Sequence, residues 1–415
     1  MFFTGESFIL LQGSSVSDPA EKAVFSGTPR FLPERKFVMA DLFRNVFELQ
    51  WQMVVMWIIG GTLIWLAVKK EMEPTLLLPM GFGAILVNLP WSGAVNQTYP
   101  TGQEHGPIDV LFDAGIANEL FPLLLFIGIG AMIDFGPLLS NPKMMLFGAA
   151  AQFGIFFTLS LARFLGFSLE DAASIAIIGA ADGPTSIFVS QYFNSNYIGA
   201  IIVAAYSYMA LVPIVQPAVI KLITTKKERM IRMEYAPSGV SKPVRILFPI
   251  LITVIAGLIA PRSVALVGFL MFGNLIRECG VLESLSQSAQ KELANLITIL
   301  LGLTVSTKMQ WQAFLNVETL MIMGLGLVAF IFDTAGGVFF AKFLNLFSKK
   351  KINPMVGAAG ISAFPMSSRV VHKMGLAEDP QNFLLMHAAA ANVSGQIASV
   401  IAGGLIITLV TNALH

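Results

Sequence analysis

The chain has 415 residues, of which 55% are hydrophobic and 12% charged, where a soluble domain carries about a quarter charged residues. With a mean hydropathy of +0.73, this excludes an ordinary soluble domain and marks a polytopic membrane protein. A net charge of +1 without a long basic run gives no support for nucleic-acid binding, and the single cysteine, Cys279, excludes an intrachain disulfide and a multi-thiolate metal site.

Apolar windows of about 18 or more residues recur from Gln52 to Thr411, each long enough to cross a hydrocarbon core of ~30 Å. They amount to about ten to twelve spans in an all-α architecture. Residues 1–37 form an extension with Pro, Ser and charge. Its start, "MFFTGESFILLQG", has no basic residue ahead of the apolar patch and fits a secretory signal peptide poorly. Residues 38–118 hold an interfacial helix in "DLFRNVFELQ" (41–50) and the first spans, about Gln52 to Val68 and then Thr75 to Trp91. The polar stretch "SGAVNQTYPTGQEHGPIDV" after them reads as irregular loop.

Residues 119–225 and 293–415 then look like two copies of one pattern. "GAADGPTSIF" in the first faces "GISAFPMSSRV" in the second, so that Gly179, Pro184 and Ser186 meet Gly360, Pro365 and Ser367 at one constant offset of 181. Upstream, Arg163, Phe164 and Leu165 meet Lys342, Phe343 and Leu344 at an offset of 179, a small insertion apart. "SLED" (168–171) is acidic where the second copy has "SKKK" (348–351). Positive loops stay inside, so these two loops belong on opposite sides and the repeats are inverted. The segment between, 226–245, carries Lys226, Lys227, Arg229, Arg232, Lys242 and Arg245 and is placed in the cytoplasm as a basic linker; residues 246–292 are connecting spans.

Each copy thus contains a helix broken by Gly and Pro at membrane depth, tolerated where neighbours, water or an ion satisfy the freed backbone. Paired breaks in an inverted repeat point to a binding site near the midplane. Asp182 is the only acid between Asp171 and Glu228, and a lone carboxylate there costs at least ~2.5 kcal/mol. A basic partner, a bound proton or a metal cation would offset that cost. No Lys or Arg stands in the adjoining spans, which favours the last two. Thr185, Ser186, Tyr206, Ser207 and Tyr208 supply hard oxygens suited to an alkali cation. The second break offers Asn353, Ser362, Ser367, Ser368 and Arg369, whose guanidinium fork matches a carboxylate. The last span adds Asn392, Ser394 and Gln396.

The stretches "GAADGPTSIF", "AAYSYMALVP", "NPMVGAAGISAFPMSSRV" and "PQNFLLMHAAAANVSG" resemble the β subunit of the sodium-pumping, biotin-dependent decarboxylases, from about Asp41 to the C-terminus. The resemblance implies a membrane subunit that decarboxylates carboxybiotin and exports Na+ while a proton is taken up. It implies partners as well: an α subunit with biotin carrier and carboxyltransferase, and a small membrane γ or δ subunit. It puts the chain in the cytoplasmic membrane of a bacterium or archaeon, with a homo-oligomer left open. By the resemblance, the family's functional residues fall on Asp182, Tyr208, Asn353, Gly357, Ser362, Arg369 and Asn392. The expected Na+ site is Asp182 with Asn392 and Ser362, joined by Thr185 and Tyr208; Asn353, Gly357 and Arg369 are expected to receive carboxybiotin; Asp182, Tyr208 and Arg369 are the expected catalytic groups. No Met-Lys-Met biotin-attachment signature occurs, so biotin must come on a partner.

Plainer readings stand beside these. Tyr206 and Tyr208 are also what packing or an aromatic belt would use, Ser367 and Ser368 can bond their own helix turn, and Arg369 can snorkel to an interface. His105, His372, His387 and His415 show no metal spacing. From the residues alone, a secondary transporter coupling sodium or protons to an anionic solute remains an equal alternative, and an inert structural subunit a remoter one.

Overall fold

The computed structural model describes residues 44–71, 74–99, 102–234 and 239–414. The extension 1–37 lies outside the described residues, as does the start of the expected interfacial helix, of which one turn, α1 (Arg44–Phe47), is described as part of a unit of its own. The remainder, from Glu48 onward, is the second unit.

That unit begins with α2 (Trp51–Lys70) and α3 (Pro74–Val87). Lys69 and Lys70 close α2, with the Lys70 ammonium 5.6 Å from the Trp65 ring, an aromatic and basic pairing typical of a membrane interface. The loop expected to be irregular holds a short hairpin, β1 (Gln97–Tyr99) and β2 (Gly102–Glu104), with Gln97 opposite Glu104. Gln-Thr-Tyr is β-prone sequence, which the Gly and Pro count of the stretch alone obscures.

Next come α4 (Pro107–Gly115) and α5 (Leu120–Met132), bent by 66° where they meet. A short α6 (Gly136–Ser140) precedes α7 (Met145–Ala151) and α8 (Phe153–Phe164), which are separated only at Gln152. Then follow α9 (Leu169–Ala176), α10 (Gly183–Tyr192) and α11 (Ile198–Ile223). The turn α12 (Lys226–Arg229) leads to α13 (Lys242–Ile259), α14 (Val264–Cys279) and α15 (Glu283–Ser288). The chain ends with α16 (Ala294–Val305), α17 (Trp311–Phe314), α18 (Val317–Phe347), α19 (Pro354–Ala358), α20 (Met366–Glu378) and α21 (Leu385–Leu414).

Among the described residues, seven helical stretches are long and apolar enough to cross a membrane, or eight if the bent pair is one span. The count stands below ten to twelve because several apolar runs fold as short or broken pieces, α3, α9, α10, α19 and α20 among them. The outward faces of the long helices are greasy: Leu258 of α13 is 80% exposed and Leu346 of α18 76%. In water such faces would be a liability; in lipid they cost nothing.

Helices that gain little from the hydrophobic effect in lipid associate through small residues that let backbones touch. Gly337 of α18 and Gly357 of α19 do so: a Cβ on either would lie 2.0 Å from the other's carbonyl oxygen. The broken pieces are held the same way, and reciprocally. A Cβ on Gly179 would come 2.7 Å from Ala329 Cβ and 2.8 Å from Asp333 Oδ2, while one on Gly360 would come 2.4 Å from Phe147 O and 3.0 Å from Ala151 Cβ. Ala329 and Asp333 stand 182 residues beyond Phe147 and Ala151, and Gly360 stands 181 beyond Gly179. Gly179 therefore rests on α18 and Gly360 on α7, at positions that the offset pairs with one another.

Candidate functional site

The first break is built by local chemistry. Ser168 caps α9, its hydroxyl accepting the Asp171 amide at 3.0 Å. The helix tightens into a 3-10 turn over Ile177–Ala180 and stops at Ala181, whose φ of 51° lies in the left-handed region. A residue with a Cβ is held there at a cost of ~1–2 kcal/mol. Asp182 restarts the chain as the N-cap of α10, and Pro184 sits in the first turn, where its missing N–H is no loss.

Asp182 is 2% exposed. Its Oδ1 accepts the Thr185 amide at 3.3 Å, while three donors converge on Oδ2: Thr185 Oγ1 at 2.8 Å, Ser399 Oγ at 2.7 Å and Gln396 Nε2 at 3.3 Å. Among the described residues no Lys or Arg pairs with it. The carboxylate acts as acceptor in every contact, so none of them needs a proton on it. Hydroxyls that donate to it keep lone pairs for a cation.

The second break meets the first. The chain leaves α19, and Ser362 directs both its N–H (3.1 Å) and its hydroxyl (2.8 Å) at the carbonyl of Ala180, the last residue of the 3-10 turn. Asn392 on α21 donates to the carbonyl of Ile361 at 2.7 Å, and its Oδ1 is buried with no partner. An orphaned amide oxygen inside a protein costs ~1–3 kcal/mol unless something fills its place. Asn392, Gln396 and Ser399 lie four and three residues apart on one face of α21. Asp182, Thr185, Ser362 and Asn392 are thus brought to one place where the two breaks touch.

Tyr208 goes elsewhere. Its hydroxyl donates to the carbonyl of Met323, and its ring lies against Gly326 of α18. Residues two apart on a helix point to roughly opposite sides, so Tyr206 takes the face toward the break. A Cβ on Gly183 would come 2.3 Å from the Tyr206 ring, and the Tyr206 hydroxyl is buried without a partner.

Of the residues expected to receive carboxybiotin, only Arg369 is open: it stands exposed on α20, and no hydrogen bond or ion pair of its guanidinium occurs among the described residues. Asn353 is fully buried as the N-cap of α19 and spends both amide hydrogens on the linker, donating to Arg229 O and Ile231 O at 2.8 Å each. Gly357 makes the close approach to Gly337. The linker is strapped to the end of α20 by Arg229 Nε on Glu378 at 2.6 Å and by Arg232 on both oxygens of Asp379, at 2.5 and 3.1 Å. The Arg232 guanidinium holds the Asp379 carboxyl below the usual carboxylate range.

Ser367 accepts Gln216 Nε2 at 2.6 Å, while Ser368 donates to the carbonyl of Pro365 at 2.8 Å, the helix-turn bond anticipated for it. Ser399 and Gln216 have no site role in the sequence reading, Tyr206 has one only as a candidate oxygen ligand, and Gln396 has no partner there. The spacing from Asn392 through Gln396 to Ser399 was the available signal for two of them. Gln216, whose amide also donates to Ala358 O at 2.8 Å, gives no signal beyond being polar in an apolar run.

Residues 52–410 match the family model described as the Na+-transporting oxaloacetate decarboxylase beta subunit. The methylmalonyl-CoA decarboxylase subunit beta of Propionigenium modestum is 47% identical over 374 residues, covering 86% of this chain and 94% of that one. The probable oxaloacetate decarboxylase beta chain of Vibrio cholerae is 43% identical, covering 88% and 97%. The oxaloacetate decarboxylase beta chain of Klebsiella pneumoniae is 43% identical, covering 86% and 94%. A family match spanning residues 52–410, together with relatives above two fifths identity over nearly their whole length, places this chain in the family of β subunits of the Na+-transporting decarboxylases.

Proposed function

We propose that the chain is the membrane subunit in which carboxybiotin, carried by a partner, loses CO2 and Na+ is exported as a proton is taken up. The observation that carries the site assignment is the Asp182 carboxylate, buried among three side-chain donors, Thr185 of α10 and Gln396 and Ser399 of α21, and without a basic partner among the described residues. Na+ binds Asp182 and Thr185, with the unpartnered Oδ1 of Asn392 completing the oxygen set and Ser362 holding the Ala180 carbonyl in place. Reciprocal seating of Gly179 and Gly360 supports an inverted repeat whose two breaks move together, the site facing either side in turn.

Arg369 receives the N-carboxylate through its planar fork. Asn353 serves by fixing the linker to α19 rather than by touching the cofactor. When the N–CO2 bond breaks, its electron pair stays on the biotin nitrogen, which takes a proton, and CO2 leaves. Transfer of the carboxylate from water to a site with few compensating donors favours that step. Tyr206 has the hydroxyl nearer the break and takes the part expected of Tyr208.

The partners are an α subunit that carries and carboxylates biotin and a small γ or δ subunit, in the cytoplasmic membrane of a prokaryote, with the linker 226–245 on the cytoplasmic face. Reconstitution with a carboxylated biotin carrier in inverted vesicles tests the reading. Sodium should accumulate only while carboxybiotin is consumed; sodium movement driven by a solute gradient without carboxybiotin would overturn it.

A further inference from the structure

A second buried carboxylate stands apart from the sodium site. Asp333 lies at the middle of the 31-residue α18, fully buried. Its Oδ1 accepts the Ile155 amide at 3.2 Å beside the amide of Gly154, at the start of α8. At the interruption at Gln152 the Ile155 amide has only the short-range Gln152 carbonyl, at 3.2 Å, for a backbone partner, and Oδ1 shares that amide and caps α8 from a neighbouring helix.

Capping accounts for one oxygen only. Oδ2 is buried with no hydrogen-bond partner and points at the Gly179 turn, where a Cβ would come within 2.8 Å of it. Nor does capping require an acid, since Asn caps as well as Asp. Nor does packing require one: the matching position of the first copy is Ala151, which sits under Gly360 as Asp333 sits under Gly179. An acid has replaced an alanine at the centre of a membrane helix, where a charge is costly.

What would occupy Oδ2 follows from its surroundings. A metal cation needs several oxygens, yet among the described residues Asp333 is hydrogen-bonded only by backbone amides, without the side-chain hydroxyls and amide that gather on Asp182, and no Lys, Arg or His pairs with it. A proton needs a single lone pair.

We propose that Asp333 is a proton site, loaded at Oδ2 while the Gly179 turn rests on it and unloaded when that turn moves. The inference rests on the decarboxylation reading. The proton leaves Oδ2 toward the break, reaches the biotin nitrogen as the N–CO2 bond breaks, and is replaced from water on the side opposite the carrier. Each half then contributes one buried carboxylate to the cycle, Asp182 for sodium and Asp333 for the proton.

The test uses the assembled complex in proteoliposomes, with Asp333→Asn, Asp333→Glu and Asp182→Asn compared. Infrared difference spectra on sodium addition should show a change in a protonated-carboxyl C=O band that Asp333→Asn abolishes and Asp333→Glu shifts. Sodium transported per CO2 released should fall about tenfold or more in Asp333→Asn and recover in part in Asp333→Glu. An Asp333→Asn complex with the wild-type ratio and an unaltered band would overturn the proposal and leave Asp333 as a cap. Should the Asn variant fail to assemble, the Glu variant decides by itself: an unshifted band overturns the proposal. Failure of the sodium-site reading is separate, since it shows as unchanged sodium affinity in Asp182→Asn whatever the Asp333 band does.

Discussion

Replacing Asp182 by Asn removes one charge and almost nothing else. The N-cap survives, because Asn and Asp cap equally well and Oδ1 keeps the Thr185 amide. The new amide group replaces Oδ2 in front of Thr185 Oγ1, Ser399 Oγ and Gln396 Nε2. Both hydroxyls can rotate to accept from it, and the Gln396 amide can turn to present its oxygen. Folding should therefore change by no more than ~1 kcal/mol. Sodium binding should change far more: a cation ~4 Å from a unit charge at an effective dielectric of ~20 is worth ~4 kcal/mol, or ~10³-fold in affinity. The assay is the sodium dependence of carboxybiotin decarboxylation by the assembled complex, with labelled sodium uptake measured in parallel and thermal unfolding as the control for folding. A variant that folds normally and half-saturates within about threefold of the wild-type sodium concentration, against the ~10³-fold worked from the charge, would refute the assignment of Asp182 as the sodium ligand.

Ser399→Ala deletes a 2.7 Å hydrogen bond to the same carboxylate; at ~1.5–3 kcal/mol for a charged acceptor, sodium affinity should move by about 10- to 100-fold, read from the same titration. Arg369→Lys keeps the charge but loses the fork, so KM for the carboxylated carrier should rise about tenfold or more, at ~1.4 kcal/mol per decade, while the unfolding temperature stays put, because Arg369 is exposed and unpaired among the described residues. Asp379→Asn should lower the unfolding temperature at neutral pH. The Asp379 carboxyl is held below its ordinary range by Arg232, so its stabilisation is complete above the unfolded value of ~3.9 and fades as pH falls through the folded one. The gap between variant and wild type should therefore close at acid pH. Arg232 is 56% exposed, so high salt should shrink the gap as well.

The sequence carried the breaks and the acid between them because both violate a strong rule: Gly and Pro interrupt an apolar run, and Asp182 is a charge in lipid. It also suggests a pairing of the halves, since Gly179, Pro184 and Ser186 face Gly360, Pro365 and Ser367 at one offset. The side-chain partners were less legible. Tyr206 and Tyr208 are chemically alike and two residues apart, and only the rotation of α11 decides that Tyr206 lies over Gly183 while Tyr208 reaches Met323. Asn353 looks like a ligand because it is polar beside a break, yet the linker carbonyls that consume its amide hydrogens, of Ile231 and Arg229, are 122 and 124 residues away in the chain. Ser399 was hidden by being an ordinary helical serine; its meaning comes from the register of α21 against Asp182. Asp333 was visible as an intramembrane acid, but that one of its oxygens caps α8 and the other does not pair is a fact of packing.

The proposed repeat is symmetric in backbone and asymmetric in charge, and that asymmetry bears on how a pump of this kind works. Two inverted halves with identical residues would exchange conformations between states of equal energy. Here Asp182 faces Ala363 in the alignment and Asp333 faces Ala151, so each half carries one acid where its counterpart has a methyl group. On the proposed assignment the two states differ in which acid is shielded, and Na+ on Asp182 and a proton on Asp333 would set which state is preferred. The energies are commensurate. Moving one charge against 100 mV demands ~2.3 kcal/mol, and the left-handed Ala181 stores ~1–2 kcal/mol beside the moving turn. Since the strain is the smaller quantity and is the same at the start and end of each cycle, it can lower the barrier to switching but cannot supply the work. On the proposed reading that work comes from the loss of CO2, and coupling requires that the turn at Gly179 not return while a carboxylate is still seated at Arg369.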